Sequence, residues 1–178
     1  HAVERPVAFR TSTMGTWATL TLVTADSAAV AGPARQALQS LHRVDSLMTN
    51  WTAISEVARL NREAANGSTS VHPEVLDVLL TARRVGTASG GAFDLTVEPL
   101  VRAWGFLGGT PRVPEDDEIA AALGLVGWRH VRLDSAASTL ALDDPGVRLD
   151  LGGVAKGYGV DRAAALLAAS GVSDALVD

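Results

Sequence analysis

Apolar and polar residues alternate across Trp17-Ala-Thr-Leu-Thr-Leu-Val-Thr24, placing Ala18, Leu20 and Leu22 on one face and Trp17, Thr19, Thr21 and Val23 on the other. This is the first strand the pattern predicts. The period then lengthens: Ala34, Leu38, Leu41, Val44 and Met48 recur at helical spacing behind Asp26 or Ser27, either of which can cap a long helix. Thr49-Asn-Trp-Thr52 reads as a loop. Ser55-Glu-Val-Ala-Arg-Leu-Asn61 reads as a short helix with an acidic first turn that stops near Asn66-Gly67. A further helix starts at Pro73 with His72 as its cap, buries Val75, Leu76, Leu79, Ala82 and Val85, and ends at Gly90-Gly91.

Residues 92–97 lead away from that helix, and residues 99–106 read as one or two helical turns closing on a glycine. Pro114-Glu-Asp-Asp-Glu-Ile119 opens another helix, its carboxylates complementing the positive end of the dipole. That reading outweighs a catalytic acidic triad. Residues 131–134 and 139–142 form a hairpin around Ser135-Ala-Ala-Ser138, and Asp144-Pro-Gly146 turns into a half-buried strand, Val147-Arg-Leu-Asp-Leu151. A helix follows Gly152-Gly153 with an apolar stripe at Val160, Ala163, Ala164, Leu167 and Ala168, ending at Gly171. Asp174-Ala-Leu-Val-Asp178 begins one more strand, which predicts a βαβ crossover returning to the sheet. The expectation from such an ending is that more protein follows Asp178.

At 178 residues the chain is long enough for one sizeable core. A net charge of -5 without a basic cluster argues against nucleic acid and anionic membrane surfaces as main partners. Cysteine is absent, which excludes disulfides, thiolate catalysis and cysteine zinc sites. No apolar run approaches the roughly 20 residues that span a bilayer. The first residue is His1 and not methionine, which points to processing or a tag remnant.

Lys156 is the only lysine, and it lies in Asp150-Leu-Gly-Gly-Val-Ala-Lys-Gly-Tyr158. Gly152 and Gly153 allow positive φ and close backbone approach where a helix N-terminus offers N–H groups, so an anion site and a solvated lysine on a tight turn are both open. The segment does not fit a Walker A loop. His1, His42, His72 and His130 are scattered, with no pair at ligand spacing, and Ser89-Gly-Gly91 lacks the Gly-x-Ser-x-Gly of a nucleophile turn. Three polar, glycine-flanked segments remain: Met14-Gly-Thr16, Ser89-Gly-Gly-Ala-Phe-Asp-Leu-Thr96 and Asp150 to Tyr158. Each joins predicted elements, and together they read as one site at a sheet edge.

In this order the segments resemble the ApbE family, the FAD:protein FMN transferases. The resemblance rests on Met14-Gly-Thr16, the aromatic loop before Ser55-Glu-Val-Ala-Arg-Leu-Asn61, Gly90-Gly-Ala-Phe-Asp-Leu-Thr-Val97 with Trp104-Gly-Phe106, and the Asp150 to Tyr158 segment with Asp161. It implies an α/β fold, a mixed sheet packed with helices around an FAD cleft, of which residues 1–178 are the N-terminal portion with the C-terminal portion absent. It also implies transfer of the FMN half of FAD to a threonine or serine of a target flavoprotein, with Mg2+ required and AMP released. Met14, Trp51, Ala92, Phe93, Asp94, Asp150 and Lys156 would line the FAD, and the Gly153 carbonyl would face the metal. Trp51 stands where tyrosine is common in the family, and Lys156 where glutamate or lysine is found.

By the same resemblance the side-chain metal ligands and a candidate histidine base lie beyond these residues, so the catalytic residues are unknown. An exported or cell-envelope setting is implied in preference to a cytoplasmic one. The alternatives are a noncatalytic FAD-binding module, half of a split protein, or a Mg2+-dependent FAD pyrophosphatase.

Overall fold

The computed structural model describes residues 3–178, so His1 lies outside the described residues. Its elements are β1 (Arg5–Thr13), β2 (Thr16–Thr24), α1 (Ser27–Met48), α2 (Glu56–Glu63), β3 (Thr69–Ser70), α3 (Pro73–Ala88), α4 (Glu98–Ala103), α5 (Asp116–Gly124), β4 (Val131–Asp134), β5 (Thr139–Leu142), α6 (Gly152–Ala169) and β6 (Ala175–Val177). This is an α/β fold with two sheets. The described residues divide into two compact units, one running to Ser46 and resuming at Ala155–Asp178, the other Leu47–Val154.

In the first unit β1 and β2 pair antiparallel from Arg5↔Thr24 to Thr13↔Thr16, and β6 pairs antiparallel with β2. The strand order is β1-β2-β6. Antiparallel pairing of β6 replaces the expected βαβ crossover. Ala18, Leu20 and Leu22 point into the core, as the alternation predicts, and meet Ala34, Ala37 and Leu41 of α1 with Ala163 and Leu167 of α6. Asp26 caps α1, its carboxylate accepting from the Ala28 and Ala29 N–H groups.

β1 has no counterpart among the predicted strands. It is an edge strand whose inward positions are mostly half-buried, and it carries Arg5, Pro6 and Arg10, so its apolar alternation is weak. Its turn is also disguised. Met14 and Gly15 both have positive φ, 50° and 71°, as a two-residue type I′ turn demands, but Met-Gly is not the usual Asn-Gly signal.

The stripe that α6 buries is Ala155, Gly159, Ala163 and Leu167, while Val160, Ala164 and Ala168 of the expected stripe are exposed. Gly159 explains the shift. A Cβ there would stand 3.0 Å from Met14 Cε and 3.2 Å from Leu41 Cδ2, so the closest approach is at a residue with no side chain to mark it.

In the second unit β5 is flanked by β3 and β4, again antiparallel. Helix α3 starts at Pro73 and buries Val75, Leu76, Leu79 and Ala82, but Val85 is exposed and Gly86 faces Trp128 instead. The helix start predicted at Pro114-Glu-Asp-Asp-Glu appears as α5, closed by a capping box between Glu115 and Glu118. Residues 147–151 do not form the expected strand. Their alternation is real, since Val147, Leu149 and Leu151 are fully buried, but both sides of β5 are already occupied.

The pleat of β2 generates a contrast in stability. Leu20→Ala is expected to cost ~2–5 kcal/mol in urea unfolding. Trp17→Ala, on the outer face with Arg10 over its ring at 4.9 Å, should cost about 1 kcal/mol or less. Equal losses would contradict this pleat.

Candidate functional site

Segment 147–151 belongs to neither sheet, so its buried polar groups need other partners. Asn61, itself buried at the end of α2, supplies them: Leu149 N–H donates to Asn61 Oδ1 at 2.8 Å and Asn61 Nδ2 donates to the Leu149 carbonyl at 2.9 Å. The side-chain amide stands in for a neighbouring peptide group. Asp150 N–H then donates to the Leu95 carbonyl at 2.7 Å, which joins the segment to the turn at residues 93–96.

That turn is built on Asp94. Its Oδ1 accepts from the Thr96 N–H at 2.8 Å and from the Thr96 hydroxyl at 2.7 Å, while the Gly127 N–H donates to Thr96 Oγ1. Asp150 behaves alike: its Oδ1 accepts from the Gly152 N–H at 2.7 Å. Among the described residues none donates to Oδ2 of either carboxylate. Two half-buried carboxylates thus each keep an acceptor for a ligand's hydroxyl or N–H groups.

Helix α6 begins at Gly152, and neither Gly152 nor Gly153 has the positive φ expected of them. What they provide is space. A Cβ on Gly152 would lie 3.0 Å from Asp150 Oδ1, and one on Gly153 would lie 3.3 Å from the Phe93 ring. The Asp150 carboxylate is itself an anion at this helix start, accepting from the Gly152 N–H. The fold thus brings Phe93, Asp94, Asp150 and Gly153 together in one unit, beside exposed Ala92.

Trp51 belongs to the same unit, on the loop before α2, and is 72% exposed. Ser55 caps α2 by accepting from Ala58 N–H at 3.0 Å and donates its hydroxyl to the Thr49 carbonyl. Arg62 donates to the Ala53 carbonyl at 2.6 Å. Both flanks of Trp51 are therefore tied to α2. The far side of α2 is anchored by Glu56, which accepts from His72 N–H at 2.9 Å and pairs with Arg59 at 2.8 Å. Burial raises the Glu56 pKa, but the Arg59 and His72 hydrogen bonds outweigh it and hold the carboxyl below its ordinary value.

Met14 and Lys156 belong to the other unit. The Met14 N–H donates to Asp45 Oδ2 at 2.8 Å, which supports its left-handed backbone, and its side chain packs on Gly159 of α6. Lys156 is exposed within α6, one turn before Gly159, and not on a glycine turn as expected. Asn61, Asp45 and Glu98 were not singled out by sequence. The place of Asn61 beside Val57 and Leu60 on the buried stripe of α2 was the one visible signal.

Glu98, at the start of α4, is 1% exposed, with Oε1 accepting from Arg102 Nε at 2.7 Å and Oε2 buried without a partner. Burial raises its pKa above the ordinary 4.5, and the Asp150 charge adds to this, against the opposing pull of Arg102 and Arg148. Mg2+ takes about six oxygens, commonly one or two from carboxylates. Among the described residues no three histidine or acidic side chains gather, so these residues alone do not fit an Mg2+ centre, and no step is assigned to one.

Residues 14–178 match the ApbE family. The chain is 34% identical over 141 residues to an FAD:protein FMN transferase of Vibrio cholerae, covering 78% of this chain and 41% of that protein. It is 30% identical over 183 aligned residues to an FAD:protein FMN transferase of Escherichia coli, covering 99% and 51%. The solved structure of the flavin transferase ApbE from Vibrio cholerae is similar with a TM-score of 0.89 at 30% identity, over 98% of this chain and 57% of that one. The chain spans about half the length of the curated relatives it matches.

Glu98 gives a pH test. The folded chain holds its proton more tightly than the unfolded one, so its contribution is present below pH 4.5 and is lost as pH rises through the raised folded pKa. Between about pH 4 and pH 8 the Tm of the wild type is expected to fall relative to that of Glu98→Gln. A constant difference would show that folding does not raise the pKa of this carboxyl.

Proposed function

The chain belongs to the ApbE family, and we propose that it forms part of an enzyme that moves the FMN half of FAD onto a threonine or serine hydroxyl of a target flavoprotein. The hydroxyl oxygen forms a bond to the FMN phosphorus, the bond from that phosphorus to the bridging oxygen breaks, AMP leaves with the bridging oxygen, and the hydroxyl gives up its proton. Relatives in Vibrio cholerae and Escherichia coli that carry this activity in their names support the reading.

The observation that carries it is the meeting of Phe93 and Asp94 with Asp150 and Gly153 through the Asp150 to Leu95 hydrogen bond. Anionic Asp94 and Asp150 suit the hydroxyl and N–H groups of FAD and not its phosphates. The exposed Trp51 offers a flat face for the flavin ring, with Ala92 and Phe93 as further apolar contacts. Met14 and Lys156 are proposed as FAD residues from the resemblance alone, Lys156 being the side chain of the set whose charge suits a phosphate. Mg2+ dependence belongs to the same reading, with the Gly153 carbonyl as the backbone contact. An exported or cell-envelope setting goes with it, and among the described residues no helix is long and apolar enough to cross a membrane.

Incubation with FAD, Mg2+ and a flavoprotein carrying an acceptor threonine is expected to leave covalent flavin fluorescence on that partner in a denaturing gel. FAD that stays bound and unconsumed would contradict the proposal, and FMN plus AMP without labelling would mean hydrolysis. Asp94→Ala is expected to weaken FAD binding about tenfold, the worth of roughly one ligand hydrogen bond. Asp143→Ala and Asp144→Ala should change it less than about twofold, because Asp143 pairs with Arg132 and Asp144 closes its own turn onto Gly146. Equal effects of all three in a fluorescence titration would misplace the site.

A further inference from the structure

Helix α2 touches two parts of the candidate site from adjacent residues. Asn61 holds the backbone of Leu149 by two hydrogen bonds, and Arg62 holds the Ala53 carbonyl beyond Trp51 while Ser55 holds Thr49 before it. The helix is itself fixed to its surroundings by Glu56 at His72 and by Arg59 at the Ser70 carbonyl. We infer that Asn61 is a positioning residue for FAD, acting through Asp150, and that α2 is the common mount for the Trp51 loop and the Asp150 segment.

Asp150 follows Leu149 directly, so its side chain goes where the Leu149 peptide is held, and residues 147–151 have no ladder to hold them otherwise. Asn61 is 6% exposed and Leu149 fully buried, so water cannot replace the amide if it is lost. Asparagine suits the place because it donates and accepts at once. Aspartate, of the same shape, keeps the acceptor for Leu149 N–H but sets a second oxygen against the Leu149 carbonyl.

The inference rests on the proposal that Asp150 contacts FAD, and a double-mutant cycle separates the two. FAD affinity is measured by flavin fluorescence for the wild type, Asn61→Asp, Asp150→Ala and the double variant, with thermal unfolding of each. Asp150→Ala is expected to weaken FAD about tenfold, and Asn61→Asp by a similar factor in the wild type. In the Asp150→Ala background Asn61→Asp should add less than about twofold, while its cost in Tm persists in both backgrounds. Wild-type affinity in Asn61→Asp, or an undiminished factor on top of Asp150→Ala, would overturn the positioning role. Wild-type affinity in Asp150→Ala would overturn the site reading and the inference with it. If Asn61→Asp does not fold, the same cycle with Asn61→Gln, which keeps the amide but displaces it by one methylene, applies the same criteria.

Discussion

The pair of hydrogen bonds between the Asn61 amide and the Leu149 peptide is the constraint on which the candidate site depends. Val147, Leu149 and Leu151 are driven inward by burial worth ~1.5–3 kcal/mol each. That burial drags a peptide group into the interior, where an unpaired N–H or carbonyl costs roughly 1–3 kcal/mol. A β-ladder would ordinarily meet the need, but β5 has neighbours on both sides. One side chain, 88 positions earlier in the chain, does so instead. Asp150, the start of α6 and the contact with the 93–96 turn all follow from where that peptide is fixed.

Small residues form the second theme, and they work by absence. Gly153 lets α6 begin against the Phe93 ring, Gly152 leaves room for the Asp150 carboxylate, and Gly159 receives Met14 and Leu41. None of these three needs a left-handed backbone. Gly15 does, and there the Asp45 carboxylate steadies its partner Met14 in the same unusual region.

Much of this was legible in the sequence because local physics decided it. The alternation of β2, the caps of α1 and α3, the start of α2 and the β4–β5 hairpin came from periodicity and short-range hydrogen bonding. What escaped was decided at a distance. β1 is a charged edge strand with an atypical turn, the buried stripe of α6 is marked by a glycine, and residues 147–151 look like a strand because their burial alternates. Sequence pattern reports burial and not the identity of the hydrogen-bond partner, so Asn61 passed as the polar end of a helix. The candidate residues Phe93, Asp94, Asp150 and Gly153 do come together in one unit, but the reason they do was not local.

Amide hydrogen exchange at Leu149 tests this central claim most directly. If Asn61 replaces a ladder, the Leu149 N–H exchanges as slowly as those of β5 in the wild type and markedly faster in Asn61→Leu, while β5 amides keep their protection. Leu149 exchange as fast as in the exposed loop around Gly109, or unchanged by the substitution, would contradict it.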